Sequence, residues 1–476
     1  MTPHPGRPHP TRSLLILSLG ALAFALAQTM LIPALGELTH QLDTDASGIA
    51  WVLTGYLLAA AVATPIAGRL GDMFGKRRLL VGSLLVFGFG SVVAALGDTL
   101  GQVVAGRVLQ GFGGGIFPLC FGIIRDEFPR EKVAGSIGMI SAIFGIGGGA
   151  GLIGGGLIAD NLSYHWIFWV GAISASLAAL ATYAWVPESP IRVPGRIDVP
   201  GALLLAVGLA LPLLAISRAN AWGWGSPQTL GLIAAGIAVL GVWVAVERRT
   251  HQPLAHIPTL LDPPVLMTNL VTLLVGFGMF GSFLLIPQLA EAPESTGYGF
   301  GLDATGAGLL MLPGALMMLV AGPVSGQLGT RFGSKLPLTA GAALTGLGLL
   351  AMALDHSSQL AVTAWNVVIS IGIGLAFAAM ANLIVEAVPP SQTGEATGVN
   401  TLVRSVGASI GSQVTAAILA ASVISGSGLA QESGFTAAYL VCAGVAGLAA
   451  VLAALIPRGA HAVVRARVAK PVLAER

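Results

Sequence analysis

Residues 68–78, GRLGDMFGKRR, place one acid, Asp72, among four bases and three glycines in a chain that is only 9% charged. Gly68, Gly71 and Gly75 permit a tight turn and close approach of helices. Asp72 is within reach of helix N-termini and of Arg69, Lys76, Arg77 or Arg78. Such contacts can join helix ends in one state and release them in another. Bases alone would serve to fix topology, which suffices for Arg69 and Arg78. The acid and the regularly spaced glycines point instead to a gate built on Asp72 and Arg77.

A second group lies in the apolar run that follows. Arg107 has Gln110 three residues on, on the same helical face. A cation inside a bilayer is costly and reads first as functional. The other reading is an arginine satisfied by backbone carbonyls or snorkelling to the interface. Read functionally, Arg107 holds an anionic group or meets an acid brought near it, and Glu37 is the candidate acid for coupling. The eight His and two Cys form no cluster that would hold a metal or act as a nucleophile, so neither an enzyme nor a cofactor is expected. Cys120 and Cys442 lie in apolar runs and read as small core residues. No GxxxxGK[ST] loop is present to bind ATP. A net charge of +2 carries no nucleic-acid footprint.

The elements that must position these groups are membrane helices. A content of 55% hydrophobic residues with 66 glycines suits close helix packing in lipid. Apolar runs long enough to cross a bilayer fall at 13–35, 49–67, 79–96, 103–124, 133–158, 166–186, 200–216, 229–246, 265–289, 307–328, 336–354, 360–384, 402–424 and 435–456. The first competes with a cleaved signal peptide, but it is long for one. With both termini cytoplasmic, all but two of the 23 Lys and Arg fall on cytoplasmic segments or helix ends; Arg218 lies outside and Arg107 within a span.

The first motif recurs. TPIAGRLGDMFGKRR (64–78) matches GPVSGQLGTRFGSKL (322–336) at a constant offset of 258 residues, with Thr330 where the first copy has Asp72. Equating the two hairpins gives a six-helix half over 1–190, two inserted helices over 191–262, a second six-helix half over 263–457 and a tail over 458–476. The inserted pair, left without a counterpart, is expected at the periphery. Parallel six-helix repeats with a site between them are a transporter pattern.

The chain resembles the major facilitator superfamily in its fourteen-span drug:proton antiporter branch. The residues that carry the resemblance are the 68–78 stretch, RVLQGFGGG (107–115), GIGGGAGLIGGGL (145–157), WVLTGYLLA (51–59) and GRIDVPGALLL (195–205). The resemblance implies an all-α polytopic fold with 6+2+6 helices, in the cell membrane, working as a monomer with protons as coupling ion. It also implies a motif on the fifth helix. There Gly147, Gly151, Gly154 and Gly155 stand without the branch's proline, which leaves helix packing and a kink both open. If the halves pack as in the family, spans one, four, nine and twelve face the cavity. They bring Gln28, Thr29, Gln110, Asn269, Thr272, Asn366 and Ser370 among Phe277, Phe280, Phe377 and Met380. No acid is expected near mid-membrane, which favours neutral or anionic ligands over strongly cationic ones. The function expected is secondary, proton-coupled export of small amphipathic compounds such as drugs, antibiotics or secondary metabolites. Uptake or lipid translocation by the same fold is the alternative.

Overall fold

In lipid every backbone N–H and C=O must bond within its own segment, so an apolar run of sufficient length becomes a helix. The computed structural model describes residues 10–44, 46–191, 198–250, 253, 255–423 and 429–457. Fourteen helices in them are long and apolar enough to cross a membrane. We number these α1 (Pro10–Thr29), α2 (Ala46–Phe74), α3 (Lys76–Ala95), α4 (Leu100–Glu127), α5 (Arg130–Asn161), α6 (His165–Trp185), α7 (Val199–Trp222), α8 (Pro227–Glu247), α9 (Pro263–Glu291), α10 (Ala304–Phe332), α11 (Lys335–Leu354), α12 (Gln359–Ala387), α13 (Thr393–Ala421) and α14 (Glu432–Leu455). Residues 195–197 of the lead-in to α7, and the 458–476 tail, lie outside the described residues.

The helix count matches the hydropathy reading, but two boundaries shift with consequences. The 68–78 stretch is not a loop: α2 runs to Phe74, α3 starts at Lys76, and Gly75 alone turns the chain. Gly75 has φ +109°, and its repeat counterpart Gly333 has φ +85°, a region open to glycine but not to L side chains at low cost. The thirteenth helix begins at Thr393, nine residues before the expected 402. Its polar first turns, TGEATGVN, look like a loop by hydropathy, yet they are packed against other helices and largely buried.

The repeat is visible in the packing. In the first six helices α1 packs on α5 and α6, α3 on α6, and α4 on α2 and α3. Eight helices later α9 packs on α13 and α14, α11 on α14, and α12 on α10 and α11. Two equivalent seams join the sets, α5 with α10 and α2 with α13, the former the more extensive. Three glycines of α5 and α10 bring the backbones together: a side chain on Gly138, Gly322 or Gly326 would meet backbone atoms of the other helix. The pair α7 and α8 packs together, and α7 also lies against both α2 and α13.

Candidate functional site

The α2–α13 seam closes at one end of the bundle, which we term the latch face. There Gly68 and Gly394 meet at the backbone, with no room for a side chain on either. The N-terminus of α13 has no side-chain cap of its own, so its first N–H groups need an external acceptor. Asp72 supplies it. Its carboxylate accepts from the backbone N–H of Gly394 at 3.4 Å and of Glu395 at 3.2 Å. An anion at a helix N-terminus contributes about 0.3–1 kcal/mol, and up to ~2 kcal/mol when partly buried.

Around this contact the charges alternate. Lys76, fully buried, lies 3.1 Å from Asp72 and 2.7 Å from Asp126, which also accepts from Ser189. Arg125 reaches across the seam to the carbonyls of Val388 at 2.7 Å and Pro389 at 3.3 Å and to the Thr393 hydroxyl. Glu395 accepts from the backbone N–H of His256 and lies 4.0 Å from Arg69. The expected acid is therefore in the cross-seam contact, but its expected partner Arg77 is not. Arg77 donates to the Val186 carbonyl at the end of α6, and its guanidinium lies 3.8 Å from Glu188. Its repeat counterpart Lys335 donates to the Ile456 carbonyl at the end of α14, at 2.6 Å. Both bases satisfy the orphan carbonyls of a helix C-terminus within their own six helices. Gly71 packs on Leu119, and Gly75 leaves room for the Glu188 carboxylate.

Between the seams lie two adjoining cavities, of about 500 and 300 Å³. The larger is lined by Gln28, Thr29, Tyr56, Arg107, Phe280, Asn366 and Ser370, and reaches Ile32, Pro33, Gln288 and Glu291 at the face opposite the latch. Gln28, Tyr56 and Phe280 also line the smaller one, together with Phe144, Arg404 and, from α7, Leu213 and Ser217. Of the inserted pair, α7 thus borders a cavity, whereas α8 lines neither cavity and packs on α7. Arg218 of α7 stacks on Trp51 of α2, and Asn220 donates to Gln413 of α13, so α7 covers the α2–α13 seam.

Six of the expected cavity residues line neither space: Gln110, Asn269, Thr272, Phe277, Phe377 and Met380. Asn269 accepts from Asn400, which also donates to Thr272, within the α9–α13 contact. The backbone of Phe277 packs on Gly411 of α13. Phe377 and Met380 face a small void of about 10 Å³ beside Arg404.

Arg107 is buried. Its Nε donates to the Val52 carbonyl at 3.0 Å, and Nη1 to Ala27 O at 3.3 Å and to Gln110 Oε1 at 2.7 Å. Gln110 in turn donates to Ser91 at 2.7 Å. The guanidinium lies 4.1 Å from the Tyr56 ring centre, and Nη2 has no hydrogen-bond partner among the described residues. Backbone carbonyls account for part of this arginine, as one sequence reading held, but one donor is left over on a residue that lines the cavity. The proposed acid is not its partner: Glu37 is an exposed residue of a short helix (Leu35–Gln41) and accepts from Gln41.

Arg404 escaped the sequence reading. Taken as the third residue of a late-starting span, it looked like a helix-end base. With α13 starting at Thr393 it is in the body of the helix, 7% exposed, over the rings of Phe377 (4.2 Å) and Phe144 (4.9 Å). The two prolines before Thr393 were the available signal, since proline favours the start of a helix.

On α5 the glycines divide between two faces. Gly147, Gly151 and Gly155 lie against α1, at Ala25, Thr29 and the Met30 carbonyl, and Thr29 donates to Gly147 O at 2.8 Å. Gly154 has only the Met30 methyl nearby. Gly145 and Gly149 face Met318 and Ala315 of α10. These contacts are those of close helix packing.

The Major Facilitator Superfamily profile matches residues 17–412 and 270–473 in overlapping segments. The chain is 30% identical over 422 residues to the tetracenomycin C resistance and export protein of Streptomyces glaucescens, covering 88% of this chain and 77% of the relative. It is 26% identical to multidrug resistance protein 3 of Bacillus subtilis (82% and 76% covered). It is also 30% identical to a uridine/deoxyuridine transporter of Lactococcus lactis (81% and 82% covered). The fold is similar to that of the human organic anion transporter MFSD10, at TM-score 0.65 and 16% identity, over 94% of this chain and 100% of the other.

Proposed function

The chain belongs to the major facilitator superfamily, and from that premise we propose that this multi-pass membrane transporter exports small amphipathic compounds, uncharged or anionic, in exchange for protons. One observation carries the reading: a largely apolar cavity, shut at the latch face, whose walls hold two buried guanidinium groups and whose one lining carboxylate among the described residues, Glu291, stands at the far mouth. A concave apolar pocket with a few convergent polar groups suits an amphipathic ligand. Among the described residues no carboxylate lies deeper in its lining, which disfavours strongly cationic ones.

The distribution of Lys and Arg supports a cytoplasmic latch face. In this arrangement the site faces outward. The first six and the last six helices then rock about the site as two repeats. Parting the α2–α13 seam separates Asp72 and Arg125 from the start of α13. Glu291 from the outside, and Asp72 and Glu395 from the cytoplasm, are the carboxylates an exchanging proton meets. Protonation of Asp72 removes the charge that closes the α13 N-terminus and so favours release. Two relatives named for drug resistance or export support the direction; the Lactococcus relative, a uridine/deoxyuridine transporter, supplies uptake as the second reading. Purified protein in vesicles with an imposed pH gradient separates the two, because export and uptake run in opposite directions relative to the gradient.

A further inference from the structure

The polar atoms left unsatisfied around the smaller cavity form a pattern. Arg404 Nη1, Gln28 Oε1 and Tyr56 Oη are each buried without a hydrogen-bond partner among the described residues, and all three residues line this space. No carboxylate forms an ion pair with Arg404 among those residues. Its charge is met only by the faces of Phe377 and Phe144, from helices on the two sides of the bundle. Phe144 and Phe377 stack at 5.5 Å, and Phe144 continues to Phe280 at 6.4 Å, which gives the cavity an aromatic wall. A buried cation without a counter-charge is costly, and so is a buried amide oxygen without a donor. Both needs are met by one kind of guest.

We propose that the cavity is a binding site for aromatic anions that also carry a hydroxyl: the anionic group on Arg404, the ring system against Phe144 and Phe280, the hydroxyl donating to Gln28 Oε1. The inference rests on the reading of this cavity as the transport site and names its ligand class. A volume of about 300 Å³ lies at the lower end of the range that holds drug-sized ligands and accommodates two or three fused rings. The guanidinium fork matches a carboxylate or an acidic enolate in two parallel hydrogen bonds. Planar ring systems pack on the aromatic wall in offset or edge-to-face geometry. Arg107, whose Nη2 is also unpartnered, lines the adjoining cavity and gives the anion a second cationic station on its way to the far face.

The test is equilibrium binding to the purified full chain in lipid nanodiscs without a gradient, with three probes: 6-hydroxy-2-naphthoate, 2-naphthoate and methyl 6-hydroxy-2-naphthoate. The parent is expected to bind the hydroxy acid about tenfold or more tightly than its methyl ester, the scale of one charge-assisted interaction. The hydroxy acid should also exceed 2-naphthoate by a smaller factor. Arg404→Gln should make acid and ester equal while the ester still binds, and Gln28→Leu should erase only the preference for the hydroxyl. A purely structural Arg404 would not change the acid-to-ester ratio. Equal affinity of the parent for acid and ester overturns the proposal even if no variant folds. A parent preference that persists unchanged in folded Arg404→Gln overturns it too. Acid selectivity lost in Arg404→Gln upholds the ligand class even if gradient-driven export is absent, in which case the export reading alone falls.

Discussion

Asp72 Oδ2 lies 3.2 Å from the backbone nitrogen of Glu395, so an acid near the end of α2 closes the N-terminus of α13, 323 positions further along the chain. The same carboxylate is 3.1 Å from Lys76 of its own hairpin. The second copy of the motif has Thr330 at this place, which bonds back to Gln327 within its helix. The two seams are therefore unlike: both are packed through glycines, but only the α2–α13 seam adds this carboxylate contact at its end. A charge can be neutralised or hydrated as the halves part, whereas a packed backbone seam has no comparable switch.

Asp72→Asn keeps the shape and removes the charge. The helix-terminus interaction it loses is worth up to about 2 kcal/mol, roughly thirtyfold in the ratio of latched to unlatched molecules. Spin labels at Arg130 and Ser391, both at the latch face, should report longer and broader distances, with membrane insertion normal. Distances identical to the parent's would remove Asp72 from the gate.

Arg77→Ala should behave differently. It uncaps the end of α6 within one set of six helices, at a cost of about 0.5–1.5 kcal/mol for the hydrogen bond. Thermal unfolding in detergent should shift down, while the label distances across the latch stay those of the parent. Opening of the latch in this variant would restore Arg77 to the gate.

Arg107→Ala removes a guanidinium that ties α4 to the Val52 and Ala27 carbonyls and lines the cavity. Gradient-driven transport should be lost, and Arg107→Lys should rescue it only in part, since an ammonium lacks the planar fork. Glu37→Gln is expected to leave the pH profile unchanged, because Glu37 is exposed and pairs with Gln41 of its own short helix. A shifted profile would revive Glu37 as the coupling acid.

Gly151→Val places side-chain atoms on Thr29, where α5 and α1 are in contact. Overpacking of this kind costs about 1–3 kcal/mol. A lowered unfolding temperature is expected, measured by the fluorescence of the purified protein; an unchanged one would mean the helices can separate freely at this point.

A photoreactive amphipathic ligand should label α7 at Leu213 and Ser217 as well as α13, because both helices wall the smaller cavity. Peptide mapping reads this directly. Labelling confined to α1, α5, α9 and α10 would return α7 to the periphery.

What the sequence made legible follows from which signals survive in lipid. The fourteen helices were readable because hydrophobic length is imposed by the bilayer. The repeat was readable because Gly75 and Gly333 share a backbone conformation that glycine supplies readily. Arg107 and Gln110 were placed together by helical spacing. The rotation of each helix was not readable. A membrane helix is apolar toward lipid and toward its neighbours alike, so no stripe tells Phe280, which lines the cavities, from Phe277, which packs toward α13. Asn269 was misplaced for the same reason. Arg404 was lost for another: the first turns of α13 are polar because they build the latch, and hydropathy assigns polar turns to loops.

The proposed export exchanges substrate for protons driven inward from an acid exterior, through a cavity that the Asp72 latch closes toward the cytoplasm. Inside-out vesicles carrying the purified chain, with an acid lumen imposed, test it with tetracenomycin C and uridine, the compounds for which two relatives are named, and with 6-hydroxy-2-naphthoate. Accumulation of at least one amphipathic compound in the lumen is expected, coupled to proton release from it, abolished by collapsing the gradient and strongly reduced in Asp72→Asn. Accumulation that ignores the gradient, or transport that runs only down it alongside the protons, would rule out proton-driven export.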